Sequence, residues 1–318
     1  MDKEDRRARV RILRFSRPPA PIPMRTTALF FGFLLLCLAV AALLTVPIMD
    51  TGWLHFPPER VMGRLTQVLI LLGIWPLLRR LQLANRRDLG YGVPRPAFLR
   101  ALGLGWIYGI LILLGLALAL LGLEVRVPDP DPGSWSWIAG KALQAVVAGL
   151  LIAVLEETFF RGALFAAIRR REGLAPAILW SAGLYAVLHL MKPSALPAGV
   201  PFDWAGAWAM FAGVFLDVFQ WRHLDTFLAL LMVGVFLALV RDFTGHIGWC
   251  VGLHAGWVFV IQVTRRLTDG NPSSGLSFLT GDYDGIIGWL SLMWIGALAL
   301  GYWRWGGRQG ATEKVESA

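Results

Sequence analysis

Residues 153–165 read AVLEETFFRGALF. Three ionisable side chains, Glu156, Glu157 and Arg161, stand inside a run that is mostly apolar from residue 137 to residue 168. Apolar runs of roughly 18 residues or more are long enough to cross a ~30 Å hydrocarbon core as helices. A helix suits that medium because it satisfies its own backbone polar groups. A charge placed there is costly unless it is paired, neutralised or put to use. The stretch therefore predicts a membrane helix and marks a site within it.

Working outward, further apolar segments occur at 27–48, 61–78, 98–122, 174–191, 226–241, 246–264 and 285–303. With 56% hydrophobic residues in 318, the fold class is an all-α, polytopic transmembrane helical bundle of about eight spans. The segment at 203–222 is short, carries Asp217 and is flanked by aromatic residues. It is read as re-entrant or interfacial, with a ninth crossing as the alternative. The chain divides into a basic N-terminal segment (1–25), N-terminal spans (26–125), a core (137–264), and a last span with a tail (285–318).

The formal net charge is +9. The basic groups cluster beside the spans, at the N-terminus, at Arg79, Arg80, Arg86 and Arg87, at Arg169, Arg170 and Arg171, and at Arg304 and Arg308. Acidic or neutral loops near 128–135 and 268–285 alternate with them. This is the positive-inside pattern of an integral membrane protein, not the footprint of a nucleic-acid binder. It predicts cytoplasmic termini, with the first span an uncleaved signal-anchor. Arg265 and Arg266 break the pattern, because eight spans put them outside. The two cysteines, Cys37 and Cys250, lie in apolar segments and read as packing residues, so no disulfide framework is available.

Glu157 and Arg161 are one helical turn apart, with the glutamate N-terminal, the favourable order for an ion pair. Glu156 points about 100° away from Glu157. The face of Glu157 continues back through Ala153, Gly149 and Ala145, small residues that allow close helix contact. The tight connection near residue 172 makes the next span, with Tyr185 and His189, antiparallel to this one. Glu156 lies 16 residues before that turn and His189 lies 17 after it, so both sit roughly 25 Å from it, at one depth. His254 stands near the middle of the seventh span. A glutamate and two intramembrane histidines can activate water, polarise a carbonyl or hold a metal. His246, Asp203, Asp217 and Asp242 read as interfacial or capping residues. No His-Glu-x-x-His helix and no Gly-x-Ser-x-Gly elbow occurs.

These pieces, in this order, resemble the CPBP family of intramembrane proteases, the CAAX-protease and bacteriocin-processing (Abi) family. Its Glu-Glu-x-x-x-Arg motif corresponds to EETFFR (156–161). Its aromatic residue ahead of a histidine corresponds to YAVLH (185–189). Its Gly-containing span and Thr-Gly turn correspond to FLALLMVGVFLALV (227–240) and TGHIG, and its His-x-x-x-Asn motif corresponds to HAGWV (254–258). The likeness covers residues 137–262. It implies a peptidase in which Glu156, helped by His189, activates water and His254 stabilises the oxyanion. Glu157, Arg161 and Tyr185 are the supporting residues. Where the family often has Asn, this chain has Val258, which cannot donate a hydrogen bond.

The resemblance leaves the cofactor open. Glu156, His189 and His254 are either the ligands of a zinc ion or the parts of a metal-free glutamate peptidase, and the second is favoured. The expected partners are the lipid bilayer and a membrane-protein or lipidated-peptide substrate, with no nucleic acid. The expected location is a bacterial inner membrane. The rival reading is a non-catalytic binding or immunity protein, or a proton- or cation-linked transporter using the same buried cluster. No internal repeat supports the transporter.

Overall fold

In the computed structural model, residues 25–197, 199–218 and 220–315 are described, apart from the side chains of 25–27, 217 and 307–315. Residues 1–24, and with them most of the basic N-terminal segment, lie outside the described residues, as do the side chains of Asp217 and Arg308. The helices are α1 (Arg25–Asp50), α2 (Pro58–Arg80), α3 (Arg95–Gly122), α4 (Trp135–Glu172), α5 (Leu174–Leu190), α6 (Trp204–Val218), α7 (Leu224–Thr244), α8 (Gly248–Leu267) and α9 (Trp289–Val315). A three-residue ribbon pairs β1 (Arg126–Pro128) antiparallel with β2 (Thr268–Gly270).

Local chemistry sets the helix boundaries. Ser134 Oγ accepts the Trp137 N–H at 3.3 Å and caps α4. Gly173, at φ 97°, turns the chain sharply from α4 into α5. Gly245, at φ 73°, closes α7 in the left-handed conformation and donates its N–H to the Arg241 carbonyl. Pro193 and Pro197 follow the end of α5 and prevent its continuation.

The two ends of the bundle differ in charge. Arg79, Arg80, Arg95 and Arg169–Arg171 sit at helix termini of one end. That end is tied together by Arg170–Asp88 at 2.6 Å, Arg169–Asp242 at 3.2 Å and the Ile247 N–H donated to the Gly90 carbonyl at 3.1 Å. The opposite end carries the β-ribbon. There the buried Arg126 donates Nε to Thr268 Oγ1 at 2.7 Å and Nη1 to the Gly285 carbonyl at 2.8 Å. Arg266 lies over the Trp137 ring at this end, 5.7 Å from its centroid. Of the two cations that break the sequence pattern, Arg266 thus stacks on an aromatic ring at this end.

Among the described residues, five helices are long and apolar enough to cross a membrane: the Ala28–Asp50 part of α1, α2, α3, α4, and α7 with its preceding turn. The shorter or more polar α5, α8 and α9 pack beside them between the same two ends, α5 and α9 on α7, and α8 on α3 and α4. Segment 203–222 does not cross. α5 ends beside Tyr283 and α7 begins beside Gly281, both in the loop before α9, so the chain leaves and re-enters at the ribbon end. α6 lies between these points, packing Ala207, Met210 and Val214 on Leu38, Ala41, Ala42 and Val46 of α1 and Met62 of α2. The re-entrant or interfacial reading therefore replaces a ninth crossing.

α3 and α8 meet along a glycine-lined seam. Gly105 and Gly109 face Gly252 and Gly256, and both pairs have the Gly-x-x-x-Gly spacing that lets backbones touch. A Cβ on Gly256 would sit 2.5 Å from the Trp106 carbonyl oxygen, and one on Gly252 would strike the Leu102 carbonyl. Alanine normally favours a helix over glycine by about 1 kcal/mol. Here Gly252→Ala is expected instead to lower the thermal midpoint in detergent, because overpacking a tight contact typically costs about 1–3 kcal/mol. Gly103→Ala, at a position with open space around it, is the matched control and should not lower it.

Candidate active site

The first motif is built on a change of helix type. α4 is α-helical to Glu157, π-helical over Thr158–Leu164, and α-helical again to Glu172. A π-turn shifts the hydrogen-bond register and leaves carbonyls to be satisfied from elsewhere. The Arg161 carbonyl accepts Nε–H of Arg241 from α7 at 3.2 Å. Every residue of the π-turn from Phe159 to Leu164 is buried. Gly162 lets the loop between α2 and α3 lie close, since a Cβ there would meet the Leu89 carbonyl oxygen at 2.8 Å.

Glu157 and Arg161 are both fully buried and pair at 3.2 Å. The second guanidinium nitrogen, Nη2, donates to the Gly234 carbonyl of α7 at 3.4 Å. Its plane lies over the Tyr185 ring, 4.5 Å from the centroid. Glu157 has a further partner, His254 Nδ1 on α8, at 2.8 Å. Glu157 is thus shared between Arg161 on its own helix and an imidazole across the interface.

Glu156 turns the other way and meets both histidines. Its Oε2 lies 3.5 Å from His189 Nε2 and 3.9 Å from His254 Nε2. The depth match read from sequence is therefore a real juxtaposition, and α8 adds the third member. His189 Nδ1 donates to the Tyr185 carbonyl at 2.9 Å, which leaves Nε2 of the neutral ring as an acceptor. His254 is fixed in the same sense by Glu157. Glu156 Oε2 has no hydrogen-bond donor among the described residues. Glu156 Oε2 and His189 Nε2 are thus two facing acceptors, and acceptors repel unless a hydrogen donor or a cation lies between them.

Tyr185 organises the group through its ring. Its centroid lies 4.1 Å from that of His189 and 6.2 Å from that of His254. Val258, one turn beyond His254, packs against α4 where that helix has Gly149, so close that a Cβ on Gly149 would lie 3.3 Å from it. Valine therefore fills a helix crossing at the position where the family pattern has a donor.

Two residues that the sequence reading did not single out stand at the rim. Lys192 Nζ donates to Tyr283 Oη at 2.6 Å and lies 3.8 Å from that ring's centroid. The Tyr283 ring is 6.5 Å from that of His189. Burial pulls the Lys192 pKa below its ordinary value, opposed by Asp284 and Glu156. Burial pushes the Tyr283 phenol up, with Asp284 and Glu156 adding to it. No motif pointed to Tyr283, because a loop distant in sequence delivers it. The Gly-x-x-x-Gly pairs that bring His254 against its neighbours were visible in the sequence at 105–109 and 252–256.

Residues 138–260 match the family model described as type II CAAX prenyl endopeptidase, Rce1-like. This segment belongs to the CPBP family. The CPBP match begins at the start of α4 and ends in α8, so it contains Glu156, Glu157, Arg161, Tyr185, His189 and His254. α1 to α3 and α9 lie outside it. No curated protein and no solved structure matches the chain. The protein is an integral membrane protein with a domain of a protease family.

The remaining polar candidates lie elsewhere. His246 Nδ1 accepts the Gly248 N–H at 3.1 Å at the start of α8. Asp203 Oδ1 caps α6 through the Gly206 N–H at 2.8 Å, and Asp242 pairs with Arg169. Cys37 and Cys250 are both buried and free. A cavity of about 350 Å³ at the arginine end is lined by Arg87, Asp88, Arg169, Arg170, Arg241 and Asp242, and Glu156 and the two site histidines take no part in it.

Proposed function

We propose that the protein is an intramembrane endopeptidase that hydrolyses a peptide bond of a membrane-anchored or lipidated protein with water activated by Glu156. The observation that carries this reading is the convergence of Glu156 Oε2, His189 Nε2 and His254 Nε2: the first two are facing acceptors that a water molecule can bridge, and the third points at the same place. The proton balance is simple. Glu156 takes one water proton as the water oxygen bonds to the scissile carbonyl carbon. The carbonyl π electrons move to oxygen, and His254 Nε2–H donates to that oxyanion. To donate there its ring carries a second proton, for which Glu157 at Nδ1 is the counter-charge. Glu156 then passes its proton to the leaving nitrogen as the oxyanion electron pair re-forms the carbonyl and the C–N bond breaks, giving an amine and a carboxylic acid, which loses its remaining proton to water. His189 holds the water against Glu156. A membrane-bound substrate suits the flank of α4, where Leu151 and Leu155 beside Glu156 are exposed.

Glu156, His189 and His254 are of the right donor types for zinc. Among the described residues, however, no group of three or more His, Cys, Asp and Glu is arranged to hold a metal ion, so no step is routed through one. On the metal-free reading, purified protein is expected to retain its activity after strong chelation and to contain far less than one zinc per chain. Activity that vanishes with chelator and returns on adding zinc would turn both histidines into ligands.

The expected setting is a bacterial inner membrane with both termini cytoplasmic, since eight crossings return the chain to the arginine-rich end. Cleavage of an anchored peptide by the purified protein, absent in a Glu156→Gln variant, tests the activity. Ion-dependent flux through liposomes with no cleavage would instead favour the transporter.

A further inference from the structure

We infer that the catalytic cleft opens on the extracytoplasmic side of the membrane, so that the substrate is the outward-facing juxtamembrane segment of an exported, membrane-anchored or lipid-anchored protein. The inference rests on the peptidase reading for the word substrate, but the direction of opening rests on the fold alone.

The first observation is where the site is closed. On the arginine side of Glu156 and His189, every neighbouring turn is buried: Phe159, Phe160, Ala163 and Leu164 on α4, Leu184 and Tyr185 on α5, and Cys250 and Val251 on α8. The cavity at the arginine end is lined by none of the three site residues. On α4 the buried residues 159–164 stand between that cavity, which reaches Phe165, and Glu156.

The second observation is where the site is open. α5 stops one residue past His189, whereas α8 continues 13 residues past His254, roughly 20 Å further towards the ribbon end. Past the end of α5 the chain runs as loop until α6 begins at Trp204. Lys192 and Tyr283, hydrogen-bonded to each other, stand there beside His189. The side chains of Glu156 and His189 keep 30% and 17% exposure, although both are flanked by buried residues on the arginine side. The opening therefore faces the ribbon end.

The third observation is the identity of that end. Arginines dominate the other end, at the termini of α2, α3 and α4 and in the α2–α3 loop. The ribbon end mixes its cations with Asp50, Glu59, Asp129, Asp131, Asp269 and Asp282. It also exposes Trp53, Trp135 and Trp221, as a membrane–water interface does. The excess of arginine in short loops marks the cytoplasmic side, so the cleft faces away from the cytoplasm. A lipidated C-terminus held in the cytosol would meet the closed side.

The test is cysteine labelling of the full-length protein in spheroplasts. Asp282→Cys and Ser273→Cys place thiols on the loop that covers the cleft, and Arg171→Cys places one at the other end. The parent chain, with Cys37 and Cys250 both buried, gives the background. With a membrane-impermeant maleimide, the first two should label in intact spheroplasts as fully as after lysis, and Arg171→Cys only after lysis. The reverse pattern overturns the inference. In a second arm, an anchored fluorogenic peptide is displayed on one leaflet of oriented proteoliposomes, and cleavage is expected only from the face that labels at residue 282. Cleavage only from the opposite face would also overturn it. The expected labelling without cleavage from either face would refute the peptidase reading and leave the orientation standing.

Discussion

Glu156→Gln is expected to abolish cleavage while the protein is made, inserted and melts as before. Glutamine keeps the size of the side chain and one acceptor oxygen, but it takes no proton from water. Removing a positioned general base typically costs about 10²–10⁴ in rate. Glu156 is partly exposed and has no ion-pair partner of its own kind in the core, its nearest groups being two imidazoles at 3.5 and 3.9 Å. Little folding energy is therefore at stake. Purified variant and parent should show the same thermal midpoint in detergent, with product formation from an anchored peptide lost. Normal cleavage by Glu156→Gln would remove it as the base.

The neighbouring position should behave differently. Glu157 and Arg161 are fully buried, and Glu157 also fixes His254 at 2.8 Å. Taking away one member of a buried pair typically costs about 3–5 kcal/mol, because the other charge remains without its partner. Glu157→Gln should therefore appear first as low abundance and a depressed thermal midpoint. Combining it with Arg161→Met removes the stranded charge and should recover part of the stability. The contact with His254 adds an expectation that the sequence did not provide. The double variant, even where it folds well, should remain poor in cleavage because nothing holds Nδ1 of His254. A double variant with parental activity would show that Glu157 serves the fold alone.

The same contact marks where sequence reasoning stopped. Spacing along one helix showed that Glu157 and Arg161 share a face, and equal distances from one turn showed that Glu156 and His189 share a depth. Both are properties of regular geometry within a helix or a hairpin, and both are present in the structure. The pairing of Glu157 with His254 depends on how α8 is rotated against α4, and that rotation is set by packing. The glycine pairs of α3 and α8 allow their backbones to touch, and Val258 settles against Gly149. Segment 203–222 was ambiguous for a similar reason. Its composition suits a span or an interface, and only the positions of the ends of α5 and α7 decided between them.

The sequence by itself determined the membrane setting, the helical class, the charge difference between the two ends, and the residues of the first two motifs. It could do so because hydropathy, charge placement and helical period are local properties of the chain. The tertiary structure decided the π-turn at 158–164, the role of Arg241 in satisfying it, the second partner of Glu157, and the delivery of Tyr283 and Lys192 to the rim. Each of these joins groups far apart in the chain or depends on helix rotation, and no local pattern encodes a contact that only packing creates.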